Sequence, residues 1–126
     1  MRLLASFFFG LFAELATGLV IGAGMYFTTG RAMPANPADV PSWVPFVAIL
    51  AGSIFTFVIA RWRASRNADR AMAHALLVAA GAIGLHILST FGDGQTVTIV
   101  HVMADVMKLV AGATAGEVVR RRSAAS

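Results

Sequence analysis

Four long apolar runs, separated by short polar connections, limit what this chain can fold into more than any single motif does. They cover residues 3–28, 43–62, 70–91 and 97–119. About 20 apolar residues in a helix span about 30 Å, the thickness of a bilayer's hydrocarbon core, and a backbone in lipid must satisfy its own hydrogen bonds. The expected fold is therefore all-α: a polytopic membrane protein with four transmembrane helices in an antiparallel bundle, residues 1–126 making one domain. A hydrophobic content of 58% against 13% charged residues agrees with this. The connections leave no room for a separate soluble domain. Cysteine is absent, which excludes disulfides, thiol catalysis and cysteine metal sites.

The net charge of +4 comes from arginines at the borders of the runs. Arg61, Arg63, Arg66 and Arg70 crowd the second connection, and Arg120, Arg121 and Arg122 follow the fourth run. The positive-inside rule puts these segments and Arg2 in the cytoplasm and the 30–42 and 92–96 connections outside, an N-in/C-in orientation. The bilayer, with the bacterial inner membrane the expected one, is the partner this pattern implies; nucleic acid is not. Trp43 and Trp62 bracket the second run at the two interfaces, with Ser42 an N-cap candidate. Ser53 and Thr56 are expected to bond back along that helix, which reads as scaffold. The first run is too long for a secretory h-region and contains Glu14, so an uncleaved transmembrane helix is expected there. Pro34, Pro37 and Pro41 make the first connection irregular. Gly92-Asp93-Gly94 makes the third a tight turn, with Asp93 or Thr96 capping the last helix.

The fourth run carries ionisable residues inside its apolar stretch. His101, Asp105 and Lys108, at i, i+4 and i+7, fall within about 60° of one helical face. Gly112, Ala115 and Gly116 continue that face, and Lys108 is the chain's single lysine. A charge at the bilayer centre costs at least about 2.5–3.5 kcal/mol, so these groups need partners or a polar cavity. Glu14, the lone acid of the first run, lies on an i+4 series with Gly10, Gly18 and Gly22. This series is expected to form one groove that receives the polar face of the last helix. Gly112 and Gly116 offer a further helix-packing or oligomer contact. Counting about 1.5 Å per residue inward, His86 and His101 share one depth, Lys108 and Glu14 share a deeper one, and Asp105 lies between. His74, near the cytoplasmic end, is expected at the surface.

Two readings of these residues stay open. Glu14 and Lys108 form either an ion pair that fixes helix register or a protonatable site coupled to solute movement. His86 and His101 are either interior histidines hydrogen-bonded to Ser89, Thr90 or Asp105, or part of a relay in which His101 passes a proton to Asp105. A haem iron or other metal between the histidines has no supporting ligand spacing, so no cofactor is expected. Phe12-Ala13-Glu14-Leu15, in a four-helix chain of this length, resembles the small multidrug resistance transporters. That resemblance implies a membrane-embedded glutamate, Glu14 here, exchanging protons for a cationic substrate. The sequence departs from that family in Asp105, Lys108 and the proline-rich first connection. No P-loop, zinc-protease, serine-triad or dinucleotide motif is present, and enzyme activity is not expected. The expected function is a small proton-coupled solute transporter or channel. The alternative is a non-catalytic subunit or assembly factor of a larger membrane complex, and a haem- or quinone-handling subunit ranks below both. A homo-oligomer or larger complex is expected in either of the first two cases.

Overall fold

The computed structural model describes residues 1–31, 34 and 36–126. Residues 32, 33 and 35, part of the predicted irregular connection, lie outside the described residues. The described residues form four α-helices, α1 (Arg2–Thr29), α2 (Trp43–Ser65), α3 (Ala71–Gly92) and α4 (Ile99–Ala125), with 3-10 turns at Pro37–Asp39 and Ala68–Arg70. All four are long and apolar enough to cross a membrane and pack against one another, the architecture of a multi-pass membrane protein.

Helix ends follow local chemistry. α1 stops at Gly30, whose φ of 67° is left-handed and whose N–H returns to the Tyr26 carbonyl. α4 is capped by Thr98 rather than by Asp93 or Thr96, and the side chain of His101 accepts from the Thr98 N–H to complete a capping box. α4 also runs past the expected residue 119, because Glu117 pairs with Arg120 at 2.8 Å and with Arg121 at 2.7 Å along its surface. Ser42 holds the N-cap position of α2 but its hydroxyl makes no capping bond.

The helices do not surround a common axis equally. α2 and α3 touch each other and both remaining helices, whereas α1 and α4 do not pack together. The interior is built of small residues: Ala60, Ala64, Ala75, Ala79, Ala82 and Ala115 are fully or almost fully buried beside Val78. Small side chains let backbones close in, and dispersion rather than water exclusion then holds helices together in lipid. Gly10 of α1 meets the backbone of Val78, Gly81 and Ala82 on α3, and Gly81 meets the Phe7 carbonyl. Gly112 lies against Ala75 and Ala79 of α3, and Gly116 against Met72 and Ala75. Large apolar side chains point outward, including Leu19, Phe27, Leu88 and Ile99. That inside-out distribution suits a lipid surround.

The expected glycine groove on α1 is corrected. Residues four apart advance about 400°, so each i+4 step drifts about 40° around the helix. Over Gly10, Glu14, Gly18 and Gly22 the series rotates out of the core. The buried face is instead Ser6, Gly10, Ala13, Thr17, Ile21 and Met25. Gly18 and Gly22 are exposed with nothing near them, and Gly10 faces α3, not α4.

Candidate functional site

α4 turns Ala104, Lys108, Gly112, Ala115 and Gly116 inward, as its small and polar face requires. Lys108 is 2% exposed, and its Nζ lies 2.6 Å from Glu14 Oε2. The pair bridges two helices that do not otherwise pack together. No donor meets Glu14 Oε2 at hydrogen-bond angles among the described residues, so the attraction is chiefly Coulombic. Lys108 Nζ is also 3.6 Å from Asp105 Oδ1, one turn earlier on α4. Asp105 Oδ1 in turn accepts from His86 Nδ1 of α3 at 2.6 Å. The His101 ring stands next to His86, with centroids 5.5 Å apart. Glu14, Lys108, Asp105 and His86 therefore form an unbroken series of contacts across three helices, with His101 beside its end.

The partner of Asp105 is His86, a bond that the interior-histidine reading allows, and not His101 as the relay reading requires. His101 is engaged elsewhere, since its Nδ1 lies 3.1 Å from the Thr98 N and 2.9 Å from the Thr98 hydroxyl. A ring nitrogen that accepts a backbone N–H carries no proton, so protonation there would break the α4 cap. Asp105 Oδ1 thus stands between two donors, one from the neighbouring helix and one from its own.

His86 and Asp105 are 16% and 20% exposed and Glu14 14%, against 2% for Lys108, so both ends of the series are more open than its middle.

Gly52 of α2 makes room for the lysine, a role that the scaffold reading of α2 missed. A β-carbon there would come 2.9 Å from Lys108 Cε and 3.7 Å from Thr17 Oγ1. The available signal was a lone glycine in an otherwise bulky apolar run. Gly52→Val is expected to push the ammonium off Glu14 and lower the unfolding temperature in detergent, with Gly52→Ala milder. Equal melting of Gly52→Val and wild type would remove this role. Thr56, expected to bond back along α2, has a buried hydroxyl without a partner among the described residues, whereas Ser53 does donate to the Ile49 carbonyl at 2.7 Å.

A second polar cluster lies toward the opposite end. His74 is 3% exposed, and its Nδ1 is 2.6 Å from Ser6 Oγ. Arg63 Nε donates to the same hydroxyl at 3.1 Å, and Arg63 Nη2 donates to the Arg2 carbonyl. The expectation of a surface histidine is therefore corrected: α3 has three helical neighbours, so a residue rotated away from α4 still meets α1.

No family model, curated protein or solved structure matches this chain. Its likeness to the small multidrug resistance transporters stays with the residues around Glu14. Among the described residues no group of three or more His, Asp or Glu side chains is arranged to hold a metal ion.

Proposed function

We propose that this chain is a small proton-coupled membrane transporter or channel in which the Glu14–Lys108–Asp105–His86 series takes up and releases a proton. The observation that carries the reading is the continuity of that series: contacts of 2.6, 3.6 and 2.6 Å link α1, α4 and α3. Ionisable residues within membrane-spanning helices are costly and belong by default to ion or proton pathways. Asp105 and His86 accept the proton, Lys108 holds the field that sets its energy, and Glu14 is the deepest acceptor.

The same reading places the bundle antiparallel in a bacterial inner membrane, N-in/C-in. Support comes from pairs that run in opposite senses, Gly24 with Trp43 and Thr17 with Gly52 between α1 and α2, and Asp105 with His86 and Gly116 with Met72 between α3 and α4. Arg61, Arg66, Arg70 and Arg122 then share the cytoplasmic end. Single cysteines at Ala38 and Ala124 are expected to react with an impermeant thiol reagent in intact cells only at position 38. Labelling at 124 alone would reverse the orientation.

The alternative is a subunit or assembly factor of a larger complex, in which the ion pairs only fix helix register. Exposed Gly18 and Gly22 favour it to this extent, since a close neighbour would fit there. Proton flux into liposomes under an imposed pH gradient separates the two readings. Glu14→Gln and Asp105→Asn are each expected to slow flux at least about tenfold, the scale of one lost proton-transfer group. Thr114→Val, at an exposed hydroxyl bonded to its own helix, is expected to leave flux unchanged. Wild-type flux in folded Glu14→Gln would sink the transporter reading. Absent flux together with stoichiometric co-purifying proteins would establish the alternative.

A further inference from the structure

The end of the bundle bearing the arginines holds a groove between α2 and α4, with a volume of about 530 Å³. Arg61, Trp62, Arg122 and Ser123 form its polar rim, and Val58 and Val119 are part of its apolar floor. Of the other arginines at this end, Arg63 is engaged with Ser6 and the Arg2 carbonyl, and Arg120 and Arg121 with Glu117, while Arg66 lies over the Trp62 ring. Arg61 and Arg122 meet no carboxylate among the described residues. Two uncompensated guanidinium groups thus flank one opening, and a fork of donors suits phosphate oxygens. Trp62 is steadied beside them, with the Arg63 and Arg66 guanidinium groups 5.8 and 5.7 Å from its ring.

We infer that this groove is a binding site for an anionic phospholipid, its phosphate between Arg61 and Arg122 and an acyl chain along Val58 and Val119. The floor decides for a lipid over a free anion. It continues onto the outward apolar face of α2, where Val58 and Ile54 are 55% and 58% exposed, so an acyl chain can enter the groove from the surrounding bilayer. The charge decides for an anionic headgroup, because a choline would bring a third cation to the two arginines. Basic pockets between membrane helices are known to hold such headgroups. The site lies at the opposite end of α4 from His101 and Asp105 and shares no residue with the proton series.

The test uses the whole purified protein in a neutral detergent, with thermal unfolding and native mass spectrometry after adding phosphatidylglycerol, phosphatidylcholine or inorganic phosphate. Phosphatidylglycerol is expected to stay bound and raise the melting temperature, and the other two are not. Arg61→Gln with Arg122→Gln is expected to weaken phosphatidylglycerol binding roughly tenfold or more. Val58→Trp fills the floor from an exposed position without removing charge, and is expected to abolish binding by a fold that remains intact. Equal binding of phosphatidylcholine, or full stabilisation by phosphate alone, would overturn the proposal. So would undiminished phosphatidylglycerol binding by either variant.

Discussion

Lys108→Leu is expected to destabilise the protein by about 3–5 kcal/mol, the usual result of removing one partner from a buried ion pair. The ammonium is the sole cation within reach of Glu14 among the described residues, and it also faces Asp105 at 3.6 Å, so its loss strands Glu14 and leaves Asp105 with His86 alone. Glu14→Leu alone is expected to be costly for the converse reason. Combining Glu14→Leu with Lys108→Leu should restore much of the stability, because the charge and its counter-charge leave together and Asp105 keeps His86. Unfolding of the three variants in detergent measures this cycle. A double variant destabilised by the sum of the two single losses would show that the two residues are not coupled. If the double variant is stable and its proton flux unchanged, the pair is architecture; if it is stable and flux is lost, Glu14 carries the proton.

Gly81→Leu should be at least as damaging, and by a different route. Overpacking a core typically costs about 1–3 kcal/mol because neighbouring side chains yield. At Gly81 the obstacle is the Phe7 carbonyl, and at Gly10 it is the backbone of Val78 and Ala82, so α1 and α3 must part before a side chain fits. Little folded Gly10→Leu or Gly81→Leu protein is expected on size-exclusion chromatography in detergent. Gly18→Leu and Gly22→Leu, whose positions are open, should elute and melt like wild type. Wild-type melting of Gly81→Leu would refute the seam. Disruption by Gly18→Leu would instead reveal a second chain seated on that face.

The sequence showed most where energetic penalties are large. A single lysine and a single first-run glutamate in apolar surroundings had to find each other, and counting rise per residue was enough to match their heights. The inward face of α4 was equally readable, since His101, Asp105 and Lys108 shared it with Gly112 and Gly116. What escaped was lateral order. Nothing in the runs themselves says that α1 sits across from α4, and the Glu14–Lys108 contact is compatible with long side chains meeting across a gap as well as with helices in contact. Gly52 was overlooked for the same reason, because its importance comes from a lysine on another helix. His74 was misassigned because its depth was read without knowing that α3 has neighbours on three sides. His101 escaped through a local competition: its Nδ1 turns to the Thr98 cap, and Asp105 takes its bond from His86 instead.

The Gly10–Gly81 seam has a kinetic consequence. The series of ionisable groups ends at Glu14, and the next polar cluster on α1 begins at Ser6, eight residues or about 12 Å away. The seam and the alanine-rich core fill that interval. Residues 7–13 of α1, between the two clusters, carry no ionisable or hydroxyl side chain. On the proposed transporter reading, net transfer through Glu14 would require α1 and α3 to separate and rejoin. Motions of whole helices take microseconds to milliseconds. A protein with this seam would turn over at the pace of a carrier, many orders of magnitude below the throughput of an open pore.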